Sequence, residues 1–178
     1  PYLKTKALMP TDEALWFDLM DLLADLAIAS LRSQVEDGAS ALQLFDSWAG
    51  NLSLADYETY VRPHSEVVLA SVADLGVPRI HFGVGTGELL PLMGEAGAEV
   101  VGVDYRVSLT DAIERLGGRY AVQGNLDPAL LFAPWDPLER RVRAIVQEGR
   151  AAPGHIVNLG HGVLPDTDPE VLERVVEL

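Results

Sequence analysis

Five short apolar segments, each followed by a helical pattern, constrain the fold of this 178-residue chain more than any other feature. Their cores are nearly continuous in apolar residues, which is typical of parallel strands that are buried on both faces. Strands that alternate with helices in this way indicate an α/β fold with a parallel sheet. The five segments are ALQLFDS (41–47), RIHFGVG (79–85), EVVGVDY (99–105), YAVQGN (120–125) and HIVNLGH (155–161).

Helix-initiation signals flank these strands. The first long amphipathic pattern opens at Pro10-Thr11-Asp12-Glu13 and stops at Gly38, a residue type that suits the position just after a helix. Two later segments place a serine three residues before an acid, which is the spacing of a capping box. A third combines a capping acid, a first-turn proline and another acid. These three starts are Ser53 with Asp56, Ser108 with Asp111, and Asp168-Pro169-Glu170.

The segment GVGTG (83–87) follows the second predicted strand, and Asp104 ends the third, which is the outline of a nucleotide or S-adenosylmethionine site. The signal is weak, because the dinucleotide fingerprint needs a third glycine where this chain has Glu88. An S-adenosylmethionine motif usually has an acid where this chain has His81, and a complete strand–helix unit precedes the loop. A tight strand-to-helix turn is the favoured interpretation.

Polar residues gather where the predicted strands end. A (β/α)8 barrel builds its site from the carboxyl ends of many strands, whereas a doubly wound sheet binds ligands mainly at one switch point. The pattern therefore favours the barrel. The polar ends are Asp46-Ser47, Asp104, Gln123 with Asn125, and Asn158 with His161, together with the glycine turn after the second strand.

Composition narrows the function classes. The net charge of −14 argues against nucleic acid, which requires clustered Lys and Arg. Cysteine is absent, which excludes disulfides and Cys-ligated metals. No apolar run approaches the ~18 residues of a membrane span. We therefore expect no nucleic-acid or membrane partner, and a cytoplasmic location.

Five stretches of the sequence carry a resemblance to a known family: QLFDSWAG (43–50), VPRIHFGVGTGELL (77–90), VVGVDYR (100–106), QGNLDP (123–128) and HIVNLGHGVLPDTDPE (155–170). In sequence, order and spacing they together resemble the uroporphyrinogen decarboxylase family. The resemblance implies a (β/α)8 TIM-type barrel in which residues 1–178 form one domain and supply about the last five strand–helix units. The N-terminal strands would then lie outside this chain, since such a barrel has eight strands and typically ~250 residues.

The resemblance also implies an activity. The family removes CO₂ from the four acetate side chains of uroporphyrinogen and gives coproporphyrinogen, a step of porphyrin and heme biosynthesis. It uses no metal or organic cofactor, because the pyrrole itself accepts the electrons. The implied partners are the porphyrinogen substrate and a second copy of the chain in a homodimer.

Three residues of this sequence match substrate-binding positions of the family. Ser47 matches a hydroxyl that hydrogen-bonds the substrate, His161 matches a histidine that contacts a substrate carboxylate, and Phe45 matches an apolar residue of the same cleft. The family's key aspartate, its tyrosine and its arginine-rich segment belong to the N-terminal half, so no catalytic residue is assigned here. Whether Asp104 and Asn125 line the cleft or only bond to the backbone stays open.

Three alternatives remain. Barrel methyltransferases of the same superfamily bind zinc through His and Cys, and the absence of cysteine argues against them. An S-adenosylmethionine-dependent methyltransferase would rest on GVGTG and Asp104 alone. A non-catalytic half-barrel that serves as a binding scaffold would suit a chain that lacks the arginine-rich segment.

Overall fold

The computed structural model describes residues 2–178, which form one parallel five-stranded sheet with helices between its strands. The strands are β1 (Leu42–Phe45), β2 (Arg79–Phe82), β3 (Val100–Gly102), β4 (Ala121–Leu126) and β5 (His155–Leu159). The predicted α/β class with a parallel sheet is confirmed. Each observed strand begins within two residues of its prediction, but most end two or three residues earlier, where the backbone turns away from the sheet.

The strand order is β1-β2-β3-β4-β5, so every strand pairs with its neighbours in sequence. Leu44 pairs with His81, Val101 with Val122, and Asn125 with Asn158. A doubly wound sheet would reverse direction at a switch point. The one-directional order of this sheet is that of a (β/α)8 barrel, and the five units are consistent with part of one.

Eight α-helices connect or flank the strands of this sheet. Their starts follow the predicted capping residues: Ser53 Oγ accepts from Asp56 N–H at 3.1 Å, Ser108 Oγ from Asp111 N–H at 3.0 Å, and Asp168 Oδ1 from Glu170 N–H at 3.0 Å. The helices are α1 (Leu3–Thr11), α2 (Glu13–Glu36), α3 (Leu54–Tyr60), α4 (Arg62–Ser71), α5 (Leu90–Glu95), α6 (Leu109–Arg115), α7 (Trp135–Gly149) and α8 (Pro169–Val176).

The start of the first long helix differs from the prediction. Pro10 lies inside the separate helix α1, and α2 begins only at Glu13, after Asp12 accepts a hydrogen bond from Leu15 N–H at 3.1 Å. Asp12 has a non-helical backbone (φ −144°, ψ 78°), which breaks the helical path between α1 and α2. The predicted C-terminal end is confirmed, because α2 stops at Glu36 and Gly38 follows with φ 106°.

The main core lies between the centre of the sheet and helices α6 and α7. Val101, Leu109 and Ile145 are fully buried there. Strand β5 departs from the expectation of burial on both faces, because Ile156 and Val157 are exposed. In residues 2–178 this strand pairs with β4 on one side only, so it forms an edge of the sheet.

Candidate active site at the strand ends

A cavity of about 540 Å³ opens at the carboxyl ends of the strands. Its lining includes Ser47 from the end of β1 and His161 from the end of β5. In a flat sheet, strands four positions apart would be separated by roughly 19 Å. The shared cavity indicates that the sheet curls and brings these two ends together, as in a barrel. The lining also includes Phe45, Gly50, Phe82, Arg106 and Gly162.

Ser47 and Phe45 form one wall of this cavity. Ser47 is partly buried in the turn after β1. It caps neither of the next helices, since the 3-10 helix Ala49–Asn51 begins after Trp48 and α3 is capped by Ser53. Phe45 is 60% exposed and meets the Phe82 ring edge-on, with the centroids 6.0 Å apart. The wall therefore combines a hydroxyl with an apolar surface.

His161 lines the same cavity from the turn after β5. Its Nδ1 accepts a hydrogen bond from the Gly162 N–H at 2.8 Å. A neutral imidazole that accepts at Nδ1 carries its proton on Nε2. The exposed Nε2–H is consequently available to donate to a ligand. The structure thus brings Ser47, Phe45 and His161, the three residues predicted to bind substrate, around one cavity.

Asp46 lies behind this wall and anchors it. Its Oδ2 accepts hydrogen bonds from Tyr57 Oη at 3.1 Å and from Ser65 Oγ at 2.9 Å, and it contacts His81 Nε2 at 2.8 Å. His81 is fully buried, and its Nδ1 lies 3.0 Å from the Met93 carbonyl oxygen. A carbonyl only accepts, so Nδ1 carries a hydrogen. This network holds Asp46 in place from inside the protein, and with it the adjacent residues Phe45 and Ser47.

The protonation state of this network follows from its partners. Burial alone would raise the pKa of the Asp46 carboxyl, but the hydrogen bond and charge of His81 and the Ser65 and Tyr57 hydroxyls outweigh burial, so the pKa lies below its ordinary value. Burial and the Asp46 charge raise the pKa of Tyr57, which therefore stays a hydroxyl donor. The low pKa keeps Asp46 ionised, so its carboxylate accepts from both hydroxyls and faces His81 Nε2 at 2.8 Å.

Sequence reasoning missed this pair. A histidine within a buried apolar strand and an acid at the end of the preceding strand were both visible. The signal that joins them is the strand register. Leu44 pairs with His81, so Asp46, two residues after Leu44, lies on the same face of the sheet as His81. The register of a parallel sheet is set by the helical crossovers rather than by a local turn. It therefore cannot be predicted from the sequences of the strands alone.

The Asp104 side chain stabilises the backbone at the rim of the cavity. Its carboxylate accepts hydrogen bonds from the Gly85 N–H at 2.5 Å, from the Arg106 N–H at 2.9 Å and from Arg106 Nη1 at 2.8 Å. Asn125 is buried and donates to the carbonyl oxygens of Asp104 and Val107. Both residues therefore satisfy backbone groups, and neither lines the 540 Å³ cavity.

The GVGTG segment forms a strand-to-helix turn. Thr86 Oγ1 donates to the Gly83 carbonyl at 2.9 Å, and the Gly85 N–H is already bound by Asp104. Helix α5 begins only after Leu89, beyond the glycines. The Asp104 carboxylate is thus committed to the turn rather than free to hold a ribose.

The other two histidines lie away from the cavity. His64 Nδ1 lies 3.0 Å from Asp21 Oδ1, and His155 Nε2 lies 2.8 Å from the Gly124 carbonyl oxygen. Across residues 2–178, no three His, Asp or Glu side chains are grouped as a metal site would require. In the same range, no helix is both long and apolar enough to cross a membrane.

Comparison with known proteins shows the family to which this chain belongs. The uroporphyrinogen decarboxylase (URO-D) family model matches residues 1–178. This chain belongs to the uroporphyrinogen decarboxylase family. The uroporphyrinogen decarboxylase of Salinispora tropica is 65% identical over 98% of this chain and 47% of its own length. That of Nocardia farcinica is 61% identical over 98% of this chain and 51% of its own length. The chain therefore spans about half the length of the curated relatives it matches.

A solved structure supports the fold. The methyltransferase from Methanosarcina mazei superposes with a TM-score of 0.81 over 97% of this chain and 51% of that chain. The two sequences are 20% identical, so the likeness speaks for the fold alone.

Proposed function

We propose that this chain forms the C-terminal wall of the active site of a uroporphyrinogen decarboxylase, which converts uroporphyrinogen to coproporphyrinogen in heme biosynthesis. The observation that carries the proposal is the cavity shared by Ser47 and His161, two hydrogen-bonding side chains from the first and last strands of the sheet. Both lie on the strand ends where a (β/α)8 barrel has its site. The names of the relatives supply the substrate and the reaction.

The chemistry needs little from the protein beyond positioning and electrostatics. Protonation of a pyrrole carbon beside the one that bears the acetate makes the ring cationic. The bond between the acetate methylene and its carboxylate breaks, CO₂ leaves, and the electron pair moves into the ring. The methylene carbon then takes up a proton, and loss of the first proton restores the pyrrole with a methyl group. The family's key aspartate would hold the pyrroles from the other half of the barrel.

The residues of this chain fit the task of holding a polycarboxylate. His161 donates through Nε2–H to a carboxylate, because its Nδ1 is occupied by the Gly162 N–H. The Ser47 hydroxyl is a second donor in the same cavity. Phe45 and Phe82 supply an apolar surface for a pyrrole face. None of these groups has to accept or deliver the reacting proton.

The cellular setting is proposed on the resemblance alone: a homodimer in the cytoplasm without nucleic-acid partners. Sedimentation equilibrium of the complete protein tests the dimer, and a monomer at micromolar concentration would contradict it. Cell fractionation tests the location, and recovery outside the cytoplasm would contradict that part.

Substitution of the two donors in the complete protein tests the function. A hydrogen bond to a charged group contributes roughly 1.5–3 kcal/mol, so His161→Asn should lower kcat/KM by about 10- to 150-fold. Ser47→Ala should lower it less, because a neutral hydroxyl is replaced by water more easily. Partly decarboxylated porphyrinogens should accumulate, since a loosely held substrate leaves between steps. Chromatography of the oxidised porphyrins measures both effects.

Matched controls lie outside the cavity. His64→Asn on α4 and Ser33→Ala on the exposed side of α2 make the same chemical changes elsewhere and should leave kcat/KM within about twofold. Wild-type rates in a combined Ser47→Ala/His161→Asn variant would remove both residues from the site. Complete inactivity of a folded His161→Asn variant would make the histidine an acid–base catalyst, contrary to the binding role assigned here.

A further inference from the structure

Arg106 stands out in the charge pattern of the cavity. The chain carries a net charge of −14, yet no Asp or Glu appears among the described residues that line the 540 Å³ cavity. Arg106 is the one lining residue with a permanent charge. An anion that enters this cavity therefore meets an arginine and no carboxylate among the lining residues.

The arginine is held in place, and part of its guanidinium remains open. Nη1 donates to Asp104 Oδ2 at 2.8 Å, and the guanidinium carbon lies 4.5 Å from the centroid of the Tyr105 ring. Asp104 is 2% exposed in its side chain, whereas Arg106 is 49% exposed. Asp104 also accepts two backbone N–H groups, so its satisfaction does not depend on Arg106. The other guanidinium donors are therefore free to bind a carboxylate in the cavity.

We infer that Arg106 binds a carboxylate of the substrate that the reaction leaves intact, namely a propionate of the porphyrinogen; this inference rests on the proposed function. An arginine on the reacting acetate would stabilise the ground-state carboxylate, and the interaction would be lost as neutral CO₂ forms. A contact to a retained propionate keeps the same strength in the ground state, in the transition state and in the product. It serves binding in every round of decarboxylation without opposing the chemistry.

The product distinguishes a propionate contact from an acetate contact. Coproporphyrinogen keeps its propionates and has lost its acetates, so it binds Arg106 only in the first case. In the complete protein, under anaerobic conditions, Arg106→Gln should raise KM for uroporphyrinogen and the inhibition constant of coproporphyrinogen by the same factor. We expect about two- to fivefold, the upper part of the range for a partly solvated ion pair, with kcat within about twofold. The effect should shrink when the ionic strength rises from about 0.05 to about 0.5 M.

Two further variants make the result specific. Arg143→Gln removes the same charge from an arginine that is 58% exposed and paired with Glu139 on α7, outside the cavity. It should leave both constants unchanged, which separates a local contact from bulk charge. Arg106→Lys keeps the charge and should recover part of the loss, and it takes the place of the glutamine variant should that one not fold.

The outcomes separate this inference from the proposed function. A wild-type protein without decarboxylase activity defeats the proposed function itself. An active wild type with unchanged constants in Arg106→Gln overturns the assignment of Arg106 alone. A rise in KM with an unchanged inhibition constant for coproporphyrinogen places the arginine on an acetate and overturns the propionate contact.

Discussion

Removal of the His81 side chain should destabilise the protein more than any change at its surface. In the folded state His81 Nε2 lies 2.8 Å from the largely buried Asp46 carboxylate, and the hydrogen bond and charge of His81 are the main influences that lower the Asp46 pKa against burial. The Ser65 and Tyr57 hydroxyls add neutral hydrogen bonds. Breaking a buried ion pair by deleting one partner typically costs about 3–5 kcal/mol, because the other charge stays buried. We expect His81→Leu to lower the free energy of unfolding by that amount near neutral pH, as measured by urea unfolding with circular dichroism.

The pH dependence of this loss has a defined sign. In the wild type the lowered pKa of Asp46 gives stability that is fully present above the ordinary carboxyl value of 3.8 and is lost as the pH falls through the folded value. Without His81, burial should place the pKa of Asp46 above 3.8 in the folded state, so the variant loses stability as the pH rises from 3.8 through the raised folded value. The difference between the proteins should therefore grow from pH 4.5 to pH 6, below the range of about 6.5 in which an unfolded histidine titrates.

Two variants check the reasoning. Adding Asp46→Asn to His81→Leu should recover part of the loss, because no uncompensated charge then remains buried. His64→Leu breaks a pair whose acid, Asp21, is 74% exposed, so no charge stays buried and the variant should cost less than His81→Leu. A His81→Leu cost no larger than that of His64→Leu, or a difference that does not change with pH, would refute the ion pair.

Two further predictions concern the cavity rim. A Cβ at Gly50 would press on the backbone carbonyls of Val84 and Gly85, so Gly50→Ala should cost about 1–3 kcal/mol in urea unfolding; Gly162→Ala, where a Cβ meets nothing within 4 Å, should change stability by no more than about 0.5 kcal/mol. Asp104 already accepts the Gly85 N–H hydrogen bond, so calorimetry of the complete protein should show no binding of adenosylmethionine or a nicotinamide nucleotide. Micromolar binding of either would mean that GVGTG is a cofactor-binding loop after all.

Local signals predicted most of the scaffold. The five apolar segments became the five parallel strands, and Ser53, Ser108 and Asp168 cap the helices that follow them. Helix α1 was missed, because Pro10 is a typical helix-start residue and here lies near the end of a helix instead. The exposure of Ile156 was missed too, since an apolar strand looks the same in sequence at the edge of a sheet as at its centre.

The site was predictable only in part. Motif resemblance selected Ser47, Phe45 and His161, which the structure places around one cavity, and their role in binding substrate stays a prediction. The pairing of Asp46 with His81 depends on the strand register, and the openness of Arg106 depends on which guanidinium nitrogen Asp104 occupies. Asp46 and His81 lie 35 residues apart in the chain, and the direction of the Arg106 side chain depends on its surroundings in the fold, so no local sequence pattern encodes either feature.

Asp104 joins three consecutive strand ends. It accepts from Gly85 after β2, precedes Arg106 after β3, and gives its carbonyl to Asn125 at the end of β4. Barrel loops are commonly exchanged one at a time to change what an enzyme accepts. Here the replacement of a single turn would leave a buried donor or acceptor without its hydrogen-bond partner, which would lower the free energy of unfolding by about 1–3 kcal/mol. Anyone who re-engineers this rim has to transplant residues 83–87, 104–107 and 124–125 as one set.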